Sequence, residues 1–370
     1  MHEKVHLFIG SLNRPVSFCR EPKGEGISIL SFDEATGAIE LVARRSDVDN
    51  PCFLTVDAEK GVVYANTEVH EWREGLVSAW RFDGTRNTLA YINVQPSLGC
   101  CTAYSRISGD GKHLYVVNYA IDGGDGPDQS LIVYGIREDG GLTPPLASLQ
   151  FAHGTGPNAE RQERSHPHCI VELKNAAGST ILAVTDLGTD RIELIGLEEG
   201  LRLVPLSHAG LAAGAGPRHL ALHPNGRFVY AINELHSTVS TFARKGDSFS
   251  VIDTRSCLPA SFSGTSYAAD LHLSTDGCFL YGSNRGHDSI AIFSIDPETG
   301  IPQSLGHAET GGRTPRSFAL TPSGRHIVAA NQDGNSLTIF ARNEETGLLT
   351  KTGSHAIGTP VSVRIIPTKS

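Results

Sequence analysis

Residues 214–245 read GAGPRHLALHPNGRFVYAINELHSTVSTFARK and contain three short apolar stretches separated by two turns. Residues 218–224 and 238–243 alternate apolar and polar side chains, as strands with one buried face do. Residues 228–232 are apolar throughout, which is typical of a strand buried on both faces. Between the first two stretches, Pro224 presets φ and Gly226 tolerates a positive φ, so the chain turns there. The segment therefore predicts a small antiparallel meander.

The same pattern recurs along the chain. An apolar second strand ends in Asn or Thr in each copy, at Thr67, Asn118, Thr185, Asn233, Asn284 and Asn331, and these residues lie 51, 67, 48, 51 and 47 positions apart. An apolar third strand follows each of them. Turns that contain acidic residues and Gly, as at 296–305 and 343–352, then lead to a fourth strand. The repeat thus predicts six complete four-strand units.

A seventh unit can be assembled from the two ends of the chain. Residues 360–366 resemble a first strand, 7–11 a second and 26–32 a third. Seven units in 370 residues give about 53 residues each, the size of a four-stranded propeller blade. Because one blade cannot bury both of its faces, neighbouring blades must stack and the ring must close. We predict an all-β fold, a seven-bladed β-propeller with four antiparallel strands per blade and its N- and C-terminal strands in one blade.

The composition agrees with this architecture. Forty Gly and nineteen Pro indicate many turns and few long helices. We expect residues 1–370 to form a single domain. The 67-residue spacing marks two insertions, at 121–130 and 153–165, which we predict to be surface loops.

Charge and apolar runs exclude several classes of partner. The net charge of −9 argues against nucleic acid or an anionic membrane as the main partner. No apolar run approaches the 18 residues or so of a membrane span, and the N-terminal run is too short for a signal peptide. Seven scattered Cys without a CxxC pair indicate small buried side chains in a reducing compartment. We expect a cytoplasmic protein, and the sequence leaves its oligomeric state open.

Two positions in each blade are expected to converge on one mouth of the central channel. The first follows the Pro that leads into the first strand, and it holds Cys52, His168, Arg218, Arg316 and Val361; blades two and five lack this Pro. The second follows the Asn or Thr that ends the second strand, and it holds Glu68, Tyr119, Asp186, Glu234, Arg285 and Gln332. The framework hardly changes between copies, whereas these positions differ and are mostly ionisable. We therefore predict a polar active or binding site there, although turn residues are often polar for local hydrogen bonding alone.

The residue types at this mouth indicate one kind of chemistry. Three arginines, Arg218, Arg285 and Arg316, suit a carboxylate or phosphate group. A histidine beside a carboxylate is a candidate general base, and an arginine stabilises an oxyanion. We predict hydrolysis, or formation, of an ester-like bond in a small anionic sugar derivative. In this hypothesis Arg285 and Arg316 hold the anionic group, Arg218 polarises the carbonyl, and His168, oriented by Glu234, activates water.

Other chemistries find little support in the sequence. There is no GxSxG, P-loop or GxGxxG motif. His166 and His168 with His153 give only a weak metal signal, because no further ligand is placed. Residues 122–126 read as a glycine-rich turn rather than a calcium loop. We predict neither a metal nor a cofactor.

Several segments carry a family resemblance. GPRHLALHPNGRFVYAINEL (216–235), RQERSHPH (161–168), VTDLGTDRI (184–192), SNRGHDSIAIF (283–293) and TPRSFALTPSGRHIVAANQDGNSLTIF (314–340) resemble the cycloisomerase/6-phosphogluconolactonase family of seven-bladed lactonases. The resemblance implies a metal-independent lactonase of the pentose phosphate pathway acting on 6-phosphoglucono-δ-lactone. It equally allows a carboxymuconate-type cycloisomerase or another sugar-acid lactonase.

The resemblance also implies a set of site residues. These are His168, or His166 because the HxH motif leaves the choice open, together with Arg218, Glu234 and Arg285. Two features depart from the family pattern, namely Cys100-Cys101 in place of the leading Pro of blade two and the insertion at 121–130. Two other classes remain as alternatives. One is a non-catalytic propeller scaffold, and the absence of a WD repeat from the sequence argues against it. The other is a metal-dependent lactonase of the gluconolactonase type.

Overall fold

The computed structural model describes residues 4–120, 126–175 and 177–368. Within these residues the chain forms 28 strands and one 3₁₀ helix, Glu199–Leu201. The strands group into seven sheets of four antiparallel strands each. The seven-bladed β-propeller predicted from the repeat is therefore confirmed.

The blades are numbered I to VII, and each is given from its inner strand outward. Blade I contains β4 (Pro51–Asp57), β5 (Val62–Thr67), β6 (Leu76–Asp83) and β7 (Thr88–Pro96), and blade II contains β8 (Thr102–Ile107), β9 (His113–Asn118), β10 (Leu131–Ile136) and β11 (Leu142–Leu149). Blade III contains β12 (Pro167–Lys174), β13 (Thr180–Asp186), β14 (Arg191–Glu198) and β15 (Arg202–Gly210), and blade IV contains β16 (Pro217–Leu222), β17 (Phe228–Asn233), β18 (Thr238–Lys245) and β19 (Ser248–Ser256). Blade V contains β20 (Tyr267–Leu273), β21 (Phe279–Arg285), β22 (Ser289–Ile295) and β23 (Pro302–Glu309), and blade VI contains β24 (Pro315–Leu320), β25 (His326–Asn331), β26 (Ser336–Arg342) and β27 (Leu349–Ala356).

Blade VII closes the ring with strands from both ends of the chain. Its inner strand is β28 (Pro360–Pro367), followed outward by β1 (Lys4–Ser11), β2 (Gly26–Asp33) and β3 (Ile39–Arg45). β28 pairs with β1 in antiparallel register, with Ile9 opposite Val363. The inner strands of successive blades contact one another around the central channel, so their first residues surround a common mouth.

The hydrophobic core lies between neighbouring blades. In β5 and β17 every side chain is buried, as expected for a second strand covered on both faces. One apolar cluster joins Val171 and Leu194 of blade III to Val229 and Phe242 of blade IV. Each blade therefore supplies half of two adjacent cores, which is why the ring is stable only when closed.

Buried tyrosines add a polar link between blades. The hydroxyl of Tyr230 in β17 donates to the carbonyl of Gly300 in the next blade at 2.9 Å. Tyr64 and Tyr281 make equivalent bonds, each at 2.9 Å, to Gly140 and Gly347. A buried phenol needs such a partner, and the shared geometry fixes the spacing of successive blades.

Candidate active site

Each inner strand carries a β-bulge near its start. In blade IV, Pro217 is paired with Asn233 and His219 with Ile232, so Arg218 is an extra residue between them. Equivalent register shifts make extra residues of Cys52, Ala103, His168, Arg316 and Val361. A bulge re-aims the side chain of the extra residue. These six side chains line one cavity at the mouth of the channel.

A repeated hydrogen bond holds the second set of mouth residues beside the bulges. The N–H of Glu234 donates to the carbonyl of Gly216 at 2.7 Å. The same bond joins Glu68 to Asn50 at 3.1 Å, Tyr119 to Cys101 at 2.8 Å and Gln332 to Thr314 at 2.9 Å. Each acceptor has a positive φ, between 39° and 65°, which turns the chain sharply into the inner strand. The residue that follows each second strand is thereby fixed at the mouth.

The cavity measures about 530 Å³ and collects most of the predicted site residues. Eight of the ten line it: Glu68, Tyr119, His168, Arg218, Glu234, Arg285, Arg316 and Gln332. Between the described strands β1 and β2, a connecting segment contributes Ser17 and Phe18 to one wall. The sequence pattern thus predicted where these eight side chains meet.

His166 and Asp186 do not line the cavity. The ring of His166 stacks on Tyr119 with centroids 4.3 Å apart, and its nitrogens lie 2.8 Å from the Tyr119 carbonyl and 3.1 Å from the Glu163 carboxylate. Asp186 accepts hydrogen bonds from the hydroxyl of Ser165 and from the N–H groups of His166 and Gly188. Both residues are occupied in shaping the loop, so the structure does not place them against a substrate, and of the two histidines only His168 faces the cavity.

Glu234 lies at the centre of a cluster of arginines. Its Oε1 is 2.6 Å from Nη2 of Arg161, and its Oε2 is 3.0 Å from Nε of Arg218 and 2.8 Å from Nη2 of Arg285. Burial alone would raise the pKa of Glu234, but the arginines, Arg285 first, hold it well below its usual value. The expectation that Glu234 orients His168 is not met, because its two oxygens contact these arginines instead.

Arg218 is held from a second side by a buried pair. Its Nη1 donates to the carbonyl of Ala269 at 2.7 Å and to Nε2 of His219 at 3.0 Å, and Nδ1 of His219 lies 2.8 Å from Asp270. Since Nε2 accepts from Arg218, His219 donates from Nδ1 to Asp270. Burial, then Arg218, lowers the pKa of His219 to about 4. Burial and Arg285 lower the pKa of Arg218 to about 9, so its guanidinium remains charged at neutral pH.

His168 faces the cavity as a neutral imidazole. Its ring contacts Tyr119 and His219 edge-on, at centroid distances of 5.5 and 5.4 Å. Its Nδ1 is buried without a hydrogen-bond partner among the described residues. Burial, then the charge of Arg218, lowers the pKa of His168 well below its usual value. The ring is therefore unprotonated at neutral pH and able to accept a proton.

Arg316, from blade VI, lines the same cavity and pairs with a different carboxylate. Its guanidinium lies 4.5 Å above the ring of Phe18, and its Nη2 is 3.7 Å from Oε2 of Glu68. The Oε1 of Glu68 is 3.3 Å from Nε2 of His70. Arg316 is thus only loosely paired, which leaves its donors available to a ligand.

Aromatic rings close the channel beneath the cavity. Phe53 and Tyr104 pack with centroids 4.0 Å apart, and Tyr104 lies 5.3 Å from His219. Beyond this floor a second cavity of about 450 Å³ is lined by the later residues of the inner strands, including Arg106 and Arg364. Phe53 and His219 line both cavities, so these rings stand between the candidate active site and the rest of the channel.

Several residues of the site were not found from the sequence. Arg161 and Tyr267 line the cavity, and His219 supports Arg218. Arg161 comes from the insertion at 153–165, which was predicted only as a surface loop. The sequence feature that could have indicated it is the RQERSHPH segment (161–168), which begins with Arg161, seven residues before His168.

Two further findings concern metals and membranes. Among residues 4–120, 126–175 and 177–368, no three His, Cys, Asp or Glu side chains are arranged to hold a metal ion. In the same residues no helix is long and apolar enough to cross a lipid bilayer.

The fold and the cavity together define a class of protein: a seven-bladed β-propeller with a charged, arginine-rich site at one mouth. Residues 6–365 match the family described as "Lactonase, 7-bladed beta-propeller", and the chain belongs to this family of lactone-hydrolysing enzymes. The resemblance read from the sequence motifs is thereby confirmed.

Individual relatives support the same assignment. The chain is 32% identical over 353 residues to a 6-phosphogluconolactonase of Formosa agariphila, which covers 93% of this chain and 94% of the relative. It is 29% identical to the 6-phosphogluconolactonase of Bacillus subtilis, over 92% of this chain and 95% of the relative. Among solved structures, the periplasmic gluconolactonase of Pseudomonas aeruginosa superimposes with a TM-score of 0.87 at 30% identity, over 98% of this chain and 99% of that one.

Proposed function

We propose that this protein hydrolyses the δ-lactone of a phosphorylated sugar acid. This is the activity that the name 6-phosphogluconolactonase gives to two of its relatives. The observation that carries the proposal is that His168 and Arg218 face the same cavity. They are the bulge residues of adjacent blades, and both face one cavity. An unprotonated base beside a fixed cation is what attack of water on a carbonyl requires.

The charge of the cavity supports an anionic substrate. Arg161, Arg218 and Arg285 surround a single carboxylate, that of Glu234, so this wall carries a surplus of positive charge. Arg316 adds a fourth guanidinium, loosely paired with Glu68. A phosphate or carboxylate group would complement this surplus.

The residues can be given roles in a balanced reaction. A water molecule transfers a proton to His168 as its oxygen attacks the lactone carbonyl carbon. Arg218 stabilises the resulting oxyanion, which is why its guanidinium must be held firmly. The bond from the carbonyl carbon to the ring oxygen then breaks, and His168 returns the proton to that oxygen. The products are a free hydroxyl and a carboxylic acid, which ionises. Glu234 maintains the arginine cluster through contacts of both its oxygens with Arg161, Arg218 and Arg285.

Two finer assignments belong to the same proposal. A 6-phosphogluconolactonase acts in the pentose phosphate pathway, and we place this protein there. We also propose a cytoplasmic location, although one structural relative is named as periplasmic. The same groups would serve lactone formation in a carboxymuconate-type cycloisomerase, so the direction of the reaction must be measured.

The test is a panel of phosphorylated, carboxylated and neutral lactones, assayed with and without chelator. Spontaneous opening of each lactone is subtracted. We expect turnover of the phosphorylated lactone, unchanged by chelator. For His168→Ala we expect kcat/KM to fall by about 10²- to 10⁴-fold, the usual contribution of a general base. Wild-type rates in both His168→Ala and Arg218→Ala would refute the mechanism.

A further inference from the structure

The segment between β11 and β12 brings one side chain into the cavity. Arg161 lines the cavity, and its side chain is 34% exposed. Its Nη2 lies 2.6 Å from Oε1 of Glu234 and 3.3 Å from the hydroxyl of Tyr119. Within the described part of the chain, its Nε and Nη1 have no hydrogen-bond partner. Arg161 thus reaches the centre of the site with donors to spare.

The neighbouring Gln162 anchors this segment. Gln162 is fully buried, and its Nε2 donates to the carbonyl of Leu187 at 2.9 Å and to Oδ1 of Asp190 at 2.8 Å. Its Oε1 accepts the N–H of Asn158 at 3.2 Å. A buried side-chain amide bonded on both sides fixes the backbone at Arg161. The guanidinium therefore has a defined position.

Asp190 also connects this segment to Arg218. Its two oxygens accept the N–H groups of Gly214 at 2.6 Å and Gly216 at 2.7 Å, immediately before the strand that carries Arg218. One buried carboxylate therefore positions both arginines. On the far side of the segment, Arg164 makes a two-oxygen ion pair with Asp128, at 2.5 and 2.6 Å.

The arginines of the cluster differ in the donors that they retain. Arg218 is buried and uses Nη1 on the Ala269 carbonyl and on His219. Arg285 uses Nε and Nη2 on the carbonyls of Tyr267 and Ala268. Arg161 uses Nη2 alone, so its Nε and Nη1 remain for a ligand. An arginine with free donors binds a carboxylate or phosphate through two parallel bonds.

We propose that Arg161 is a specificity-determining residue that binds the anionic group of the substrate, a phosphate monoester in the function proposed above, on which this inference rests. The insertion at 153–165 thereby selects the substrate. A neutral lactone offers Arg161 no charged partner, so it forms no charge-assisted hydrogen bond with this residue. A phosphorylated lactone gains a charge-assisted pair at the exposed edge of the arginine cluster.

The test compares Arg161→Gln and Arg161→Lys with the wild type on two substrates, 6-phosphogluconolactone and unphosphorylated gluconolactone. For Arg161→Gln we expect kcat/KM on the phosphorylated lactone to fall about 10- to 100-fold, the value of a charge-assisted hydrogen bond. On the neutral lactone we expect a clearly smaller fall, because there the variant loses only the ion pair of Arg161 with Glu234. Arg161→Lys should retain part of the preference, since it keeps the charge without the paired donors. Arg20→Gln, an exposed arginine outside the cavity, is the matched control for loss of one charge.

The readouts separate this inference from the proposed function. Equal losses on both substrates would assign Arg161 a structural role and overturn the inference, as would no loss on either. A wild type that opens neither lactone above background would refute the proposed function. In that case calorimetric binding of 6-phosphogluconate and of gluconate still tests Arg161. The inference then requires the phosphorylated acid to bind about tenfold or more weakly to Arg161→Gln, and equal binding overturns it.

Discussion

Nη1 of Arg218 donates to Nε2 of His219 at 3.0 Å, although the two residues are neighbours in one strand. Successive side chains of a regular strand point to opposite faces of the sheet and do not meet in this way. The pair forms because Arg218 is the extra residue of a β-bulge, which turns its side chain toward the channel. Because of the bulge, His219 can accept a hydrogen bond from its sequence neighbour Arg218 and hold the guanidinium in place.

His219→Phe is expected to lower kcat by about tenfold or more and to change KM by less than about threefold. The phenyl ring fills the same space but accepts no hydrogen bond from Arg218, and Asp270 loses one donor. The guanidinium then loses its alignment toward the carbonyl oxygen, which matters most in the transition state. Steady-state kinetics on the phosphorylated lactone measure both parameters.

His219→Asn is the companion variant, because its side-chain oxygen can still accept from Arg218. It should recover part of kcat relative to His219→Phe. Identical kcat values in the two variants would show that the hydrogen bond to Arg218 does not position it.

Stability is expected to fall as pH drops from 6.5 to 5. Burial lowers the pKa of His168 well below its usual value and that of His219 to about 4. An unfolded histidine titrates near 6.5, so below that pH the unfolded chain binds protons that the folded chain does not. The free energy of unfolding therefore falls with pH, by up to about 1.4 kcal/mol per pH unit for each histidine. Above pH 6.5 this contribution is complete. Urea midpoints between pH 7.5 and 5 measure it.

His168→Gln removes one of these groups without adding a charge. The slope of the free energy of unfolding against pH should then decrease by the amount that corresponds to nearly one bound proton over the same range. Glu234 and Asp270 do not interfere, because their pKa values lie well below the usual values, which places their effect at lower pH. An unchanged slope would mean that His168 is not held neutral in the folded protein.

The repeat predicted the fold because its signal is periodic. Six copies of an apolar second strand ending in Asn or Thr define the blades, and the two chain ends complete the seventh. The mouth residues followed from the same register. His166 and Asp186 deviate because the fold brings backbone partners to their side chains. The ring of His166 bonds to the carbonyl of Tyr119 in the neighbouring blade, and Asp186 accepts the N–H of His166, which a pattern of residue types does not reveal.

The roles of His219 and Arg161 could not be predicted from the sequence for a different reason. A bulge is a shift in pairing between two strands. The leading Pro marked the position of Arg218 but not this shift, so the contact of Arg218 with His219 was not foreseen. Arg161 lies in an insertion without a counterpart in the other blades. Its position depends on long-range bonds from Gln162 to Leu187 and Asp190, which only the folded chain brings together.

Glu234→Gln is expected to destabilise the protein by about 3 kcal/mol and to abolish most activity. The change leaves Arg161, Arg218 and Arg285 facing one another without their shared carboxylate, and breaking a buried ion pair in this way is costly. Inorganic phosphate should restore part of the stability, since it supplies negative charge to the cluster. Thermal unfolding with and without phosphate measures both effects.

Glu345→Gln, at an exposed turn, is the matched control and should unfold at the wild-type temperature. The expected result is a larger stabilisation by phosphate in Glu234→Gln than in the wild type. If phosphate raised the unfolding temperature of both proteins equally, the arginines would not form one anion-binding cluster.

The tyrosines that link neighbouring blades should differ in their contribution to stability. Tyr230 makes one hydrogen bond through its hydroxyl, to Gly300, so Tyr230→Phe is expected to cost about 1 kcal/mol. The hydroxyl of Tyr281 donates to Gly347 and also accepts from Nε of Arg342, whose side chain is only 3% exposed. Tyr281→Phe therefore removes a partner from a buried cation and is expected to cost about 2 to 3 kcal/mol. Urea unfolding of the two variants, with lactone hydrolysis unchanged in both, tests this difference. Equal losses would show that Arg342 does not depend on the phenol.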